Sequence, residues 1–129
     1  MSKVLVVEDD EQVRVLAESI LKDSGHEVCA ATGVDGSTAI LDGDQELDVL
    51  FIDLSLGNDL EAGLRVAQYA REKRPKLSVL YTTGAGVNEG MKALFTEPFF
   101  LPKPYTAEQL TKSVAFLLLQ TKERPKVSL

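Results

Sequence analysis

Cysteine is almost absent. Cys29 is the only one in 129 residues, so no intrachain disulfide framework can form, and a reducing compartment is the simpler expectation. Histidine is as scarce: His26 stands alone after Gly25 and reads as a surface residue at a helix end, not as a ligand. No apolar run approaches the ~20 residues that a membrane span needs. Met1-Ser2-Lys3 leads directly into a strand-like stretch without a signal peptide, so a cytoplasmic protein with no membrane partner is expected. Repeats, low-complexity tracts and internal linkers are also missing. Basic charge is in deficit, and a net charge of −6 argues against a dedicated nucleic-acid binder.

What is present suits one globular domain. Hydrophobic residues make up 44% and charged residues 26%, an ordinary balance. A chain of this size buries roughly two-thirds of its unfolded surface and needs no staple. The charge is uneven: residues 1–61 hold 15 acids and three basic residues, whereas 62–129 hold 11 basic residues and five acids. The later basic residues (among them Arg65, Arg71, Lys73, Arg74, Lys76 and Lys112) are dispersed, the pattern of solvated helix faces.

Short apolar runs recur at Val4–Val7, Val28–Ala31, Val49–Ile52, Val79–Tyr81 and Phe99–Leu101. Runs that are apolar on both faces suit parallel strands covered by helices on two sides, and Cys29 within one of them reads as a small buried hydrophobe. Helical patterns lie between them. Val13, Leu16, Ala17, Ile20 and Leu21 form one stripe ahead of Gly25. A weaker pattern spans about 35–42, a third runs from about Ala62 to Lys73 before Pro75, and a glycine-interrupted one covers about 87–95. The last is strong, with Ala107, Leu110, Val114, Leu117 and Leu118 following a Thr106 cap. Phe116 and Leu119 fall off that stripe and read either as a docking or dimer surface or as ordinary exposed apolar residues. Five strands alternating with five helices predict an α/β sandwich with a parallel sheet. Helices on both faces require the strand order to reverse, and sites in such sheets lie beyond the strand carboxyl ends at the reversal.

At those ends stand Glu8-Asp9-Asp10-Glu11, then Asp53, then Thr82-Thr83-Gly84, then Pro102-Lys103-Pro104. If strands one and three flank the reversal, Glu8, Asp9 and Asp53 converge. Two carboxylates at 4 Å repel by roughly 4 kcal/mol at an effective dielectric of 20. Lys103 offsets one charge, whereas a hard divalent cation offsets two and prefers oxygen ligands, so the cluster predicts a Mg²⁺ site with Lys103 on its rim. Asp10 and Glu11 are better read as caps of the first helix. Asp53 follows four apolar residues, and beside a metal, a hydroxyl and an ammonium it could attack phosphorus as a carboxylate nucleophile.

Val4-Leu5-Val6-Val7-Glu8-Asp9, Asp53 after its strand, Thr83-Gly84 and Lys103-Pro104, in that order, resemble the receiver domains of bacterial two-component response regulators, the CheY-like family. The resemblance covers about residues 3–120. It implies a flavodoxin-like (βα)5 three-layer sandwich with a five-stranded parallel sheet in the order 2-1-3-4-5, a receiver domain over 1–121 and a tail over 122–129. It implies that Asp53 accepts a phosphoryl group from a sensor histidine kinase or histidine phosphotransfer protein. Asp9 would bind Mg²⁺ directly and Glu8 through water, with Asp53 and the backbone carbonyl of Ser55 completing the set. Thr83 would move toward the phosphoryl group, Lys103 would pair with it, and Phe100 would follow Thr83 or serve only as core. The Lys103–Pro104 bond would be cis.

Two departures stand out. Leu56-Gly57 replace the Met-Pro common in the family, and Gly63 comes ten residues after Asp53 instead of eight, so 56–61 reads as a loop lengthened by two. Ser55 and Ala85, the positions that tune hydrolysis in the family, offer no amide or carboxylate, which implies a long-lived phosphorylated form. The tail leaves no room for an effector domain. The expected protein is therefore a stand-alone receiver that modifies only itself, signals to an unknown protein target and is open to phosphorylation-dependent homodimerisation. Two rivals are a Mg²⁺-dependent phosphatase with an aspartyl nucleophile and a flavodoxin-like cofactor carrier. The first would need Asp-x-Asp at the end of strand one; the second would need a Ser/Thr/Gly-rich phosphate loop where four acids stand.

Overall fold

The computed structural model describes residues 2–57, 59–84 and 100–123. The expected helix at 87–95, together with Ala85, Gly86, Gly90 and Phe99, lies outside the described residues. Five strands are present: β1 (Lys3–Val7), β2 (Glu27–Ala31), β3 (Val49–Asp53), β4 (Ser78–Thr83) and β5 (Phe100–Pro102). They form one parallel sheet in the order β2-β1-β3-β4-β5, as the resemblance implied, and the reversal falls between β1 and β3. Four helices are described: α1 (Glu11–Asp23), α2 (Val34–Asp42), α3 (Leu60–Lys73) and α4 (Ala107–Glu123). The last continues into the stretch read as the tail. Among the described residues, no helix is long and apolar enough to cross a membrane.

The period of two along each strand divides the core. Leu5, Val7, Leu50, Ile52, Val79 and Tyr81 pack under α2 and α3, with Leu41, Val66, Ala67 and Ala70 opposite. Val4, Val6, Val49, Phe51, Leu80 and Leu101 face α1 and α4, with Ala17, Leu21, Leu110, Val114 and Leu117 opposite. Burial on both faces is why the strands read as continuous apolar runs.

Helix ends follow their local chemistry. Asp10 caps α1 by accepting the Val13 N–H at 3.1 Å, as expected. Gly25 takes φ +91° to end that helix. Thr106 and Gln109 form a reciprocal capping box on α4, with Thr106 Oγ1 accepting the Gln109 N–H at 3.0 Å and Gln109 Oε1 accepting the Thr106 N–H at 2.8 Å. Gly63 lets α3 rest on the end of β3: a Cβ there would lie 2.4 Å from Leu54 Cα.

Four expectations need correction. Leu16 is 58% exposed, because α1 reaches the sheet only through its narrow Ala17–Leu21 side. Cys29 is only half-buried, because β2 is an edge strand; burial still pushes its thiol up. His26 is also half-buried, and burial lowers its pKa. The dispersed basic residues are not all solvated either. Arg74 donates to the backbone carbonyls of Leu41, Gly43 and Gln45 at 3.2, 2.9 and 2.5 Å, fastening the α2–β3 loop to the end of α3, and Arg71 lies 5.4 Å from the centre of the Tyr81 ring.

Candidate functional site

The site is built by register. Val7 pairs with Ile52, and Asp53 pairs with Thr82, so Glu8 and Asp53 continue the row of Val6 and Phe51 on the α1/α4 face. The Glu8 N–H donates to the Ala31 carbonyl at 3.1 Å, which extends the strand one residue past β1. Glu8 and Asp53 are therefore buried, at 4% and 3% exposure, whereas Asp9 is exposed. In the same row the Thr82 hydroxyl is buried without a hydrogen-bond partner among the described residues.

Lys103 follows β5 and is held by its N–H on the Thr83 carbonyl at 3.3 Å. Its ammonium donates to Glu8 Oε1 at 2.7 Å and Asp53 Oδ2 at 2.8 Å. Asp53 Oδ1 accepts from the Ser55 N–H at 2.9 Å and the Ser55 hydroxyl at 3.1 Å. The Ser55 hydroxyl lies 3.3 Å from Thr83 Oγ1, so acceptor, Ser55 and Thr83 form one chain of contacts. The Lys103–Pro104 peptide is cis. Phe100 is half-buried against the α2/α3 core and pairs with Tyr81.

One ammonium serves two buried acids, and their ionisation separates accordingly. Burial pushes Glu8 up to about 7, outweighing the Lys103 bond. Burial also opposes charge on Asp53, but the Lys103 bond and the Ser55 N–H more than offset it and hold Asp53 below the usual carboxylate range. Lys103 is raised by both acids against the opposing effect of burial. One carboxylate oxygen from each of Glu8, Asp9 and Asp53 lies within 4.8 Å of the others. Three negative charges against one ammonium leave two uncompensated when all are ionised, and the donors are all hard oxygens. That donor set and residual charge fit Mg²⁺, which takes carboxylate oxygens and retains water.

The expected site residues Glu8, Asp9, Asp53, Ser55, Thr83 and Lys103 are thus brought to one sheet end. Three contacts escaped sequence reasoning. Arg14 Nη1 donates to the Glu8 carbonyl at 3.2 Å, and the Gly57 N–H donates to Asp9 Oδ2 at 2.9 Å. Tyr105 packs edge-on against Phe51 with ring centres 5.6 Å apart, and burial pushes its hydroxyl up to about 12. The available signals were a glycine beside acids and an aromatic after Lys103-Pro104.

A doubly wound sheet with an acid cleft and a lysine at its reversal point defines a flavodoxin-like domain of the receiver type. Comparison agrees: the model of the response regulator receiver domain matches residues 4–115, and the chain belongs to that family of two-component systems. A CheY-like receiver domain protein from Methanospirillum hungatei JF-1 superposes with a TM-score of 0.85 at 18% identity, covering 97% of this chain and 99% of that one. A receiver domain protein from Clostridium thermocellum gives 0.82 at 22%, covering 95% and 98%. A receiver protein from Sinorhizobium medicae WSM419 gives 0.81 at 26%, covering 93% and 96%. No curated relative matches the chain.

Proposed function

We propose that this domain accepts a phosphoryl group on Asp53 from a histidine kinase or histidine phosphotransfer protein, and that the modification switches a surface for a downstream protein. The observation that carries the reading is Lys103 Nζ held 2.7 Å from Glu8 and 2.8 Å from Asp53, beside the three converging carboxylates. Asp53, kept ionised by Lys103 and Ser55, attacks phosphorus with a carboxylate oxygen. The new P–O bond forms as the bond to the donor's imidazole nitrogen breaks, and the electron pair leaves on that nitrogen. Lys103 and the Thr83 hydroxyl donate to the phosphoryl oxygens. Glu8, Asp9, Asp53 and the Ser55 carbonyl would hold Mg²⁺, which supplies Lewis-acid stabilisation of the developing charge when bound.

The reaction modifies the domain itself and turns over no separate metabolite. Thr83 leaves its contact with Ser55 to reach the phosphoryl group, and Phe100, paired to the neighbouring Tyr81, carries the change toward β5 and α4. The exposure of Phe116 and Leu119, 41% and 56%, favours a second outcome in which the phosphorylated form pairs with another copy. The test is intact-mass analysis after treatment with acetyl phosphate. An adduct of one phosphoryl mass should appear in the wild type with Mg²⁺, and should be absent without Mg²⁺ and in Asp53→Asn. An adduct on Asp53→Asn would overturn the assignment.

A further inference from the structure

The turn after β3 holds Asp9 through a single backbone N–H. Leu56 anchors one end in the core at 4% exposure, and Asp59 anchors the other by capping α3, where its carboxylate accepts the Glu61 N–H at 3.0 Å. The Asp59 N–H closes the turn on the Leu56 carbonyl, also at 3.0 Å. Between these anchors Gly57 adopts φ +59°, and its N–H donates to Asp9 Oδ2 at 2.9 Å, linking residues 48 apart in the chain. Asp9 is exposed, and this is the one hydrogen bond its carboxylate makes among the described residues.

We infer that Gly57 is a positioning residue for Asp9: its N–H fixes one carboxylate oxygen beside Glu8 and Asp53 and leaves the other for the divalent cation. This rests on the reading of the cleft as a Mg²⁺ site. An exposed aspartate held only by its own backbone samples several rotamers, and a ligand must select the productive one. A carboxylate has two oxygens and about four acceptor positions, so one N–H bond orients it without using up its capacity. Outer hydrogen bonds of this kind are typically worth 10- to 100-fold in metal affinity. The turn after β3 supplies the donor, and glycine suits it because most other L-residues, asparagine excepted, resist φ near +60°.

The test separates backbone from bulk. A Cβ at position 57 meets nothing within 4 Å, so a side chain fits and only the backbone preference changes. Gly57→Val disfavours positive φ, whereas Gly57→Asn tolerates it. Mg²⁺ alone is titrated by calorimetry into wild type, both variants and Asp9→Asn, with urea midpoints measured without metal. Expected are roughly tenfold weaker Mg²⁺ binding by Gly57→Val, at the low end for an outer hydrogen bond, and near-wild-type binding by Gly57→Asn. Equal or tighter binding by Gly57→Val, with wild type and Asp9→Asn clearly different, would overturn the positioning role alone. Equal weakening in Gly57→Val and Gly57→Asn would also overturn it. A wild type that binds no Mg²⁺ would remove the metal reading and this inference together.

Discussion

Replacing Gly63 by alanine tests how tightly α3 is seated on the acceptor strand. The new methyl would lie 2.4 Å from both Leu54 Cα and the Leu54 carbonyl oxygen, against backbone with no flexible end to move aside. Carbon atoms normally approach to about 3.5–4.0 Å, so the helix or the strand must retreat by roughly 1 Å. Leu54 is fully buried, and its N–H is bonded to the Thr82 carbonyl at 2.9 Å, so the strand resists. Overpacking of this kind costs ~1–3 kcal/mol or more, while alanine returns at most ~1 kcal/mol of helix propensity. The expected net loss is ~1–2 kcal/mol, or roughly 3–10 °C in melting temperature for a domain of this size. Gly36→Ala is the internal control. Gly36 is exposed in α2, and its new methyl would come no nearer than 3.4 Å to Ala31 Cβ, an ordinary contact. That variant should gain ~0.5–1 kcal/mol from propensity alone. Urea unfolding followed by far-UV circular dichroism, analysed with a common slope, compares the two. Equal stability of Gly63→Ala and wild type would refute the argument, as would equal losses in both variants.

Other outcomes follow from the same geometry. Because burial raises Glu8 from its ordinary value to about 7, its contribution to metal-free stability is complete below about pH 4.5 and lost as pH rises through about 7. Glu8→Gln should therefore be more stable than wild type at pH 8, by roughly 3 kcal/mol at most, and nearly equal at pH 4.5; melting curves at the two pH values decide. Mg²⁺ at a hundred times its dissociation constant should raise wild-type stability by ~2.7 kcal/mol, and Asp53→Asn should lose most of that gain in a thermal-shift assay. Arg74→Met removes three donors to carbonyls at the end of α2 and in the loop after it and should cost about 1–3 kcal/mol, with phosphorylation by acetyl phosphate unchanged. Ser55→Asn combined with Ala85→Glu should shorten the lifetime of the phosphorylated form; a wild-type lifetime no longer than that of the double variant counts against slow intrinsic hydrolysis.

Much of the fold was legible because short-range physics wrote it. Strands buried on two faces must be apolar throughout, so β1, β3 and β4 were visible as runs, and Asp10 and Thr106 announced helix starts through the unsatisfied N–H groups they cap. Leu16 shows the limit: periodicity gave it a place in the stripe, but α1 sits so that only its Ala17–Leu21 side meets the sheet. How far a helix face is covered depends on its neighbours, which no local pattern encodes.

The chain alone determined that acids and a lysine stand at the carboxyl ends of apolar runs, because the order of residues along a strand is fixed by the sequence. Which of them meet is decided by strand register, which puts Glu8 beside Asp53, and by the path of the chain after β5, which brings Lys103 within 2.8 Å of both. Only the tertiary structure decided that Glu8 carries the proton burden, that Arg74 fastens a loop, and that Gly57 holds Asp9. The reason is physical. Ionisation depends on how far each group is removed from water and on what faces it, and a hydrogen bond across 48 residues depends on the path of a loop, so neither is a property of any segment by itself.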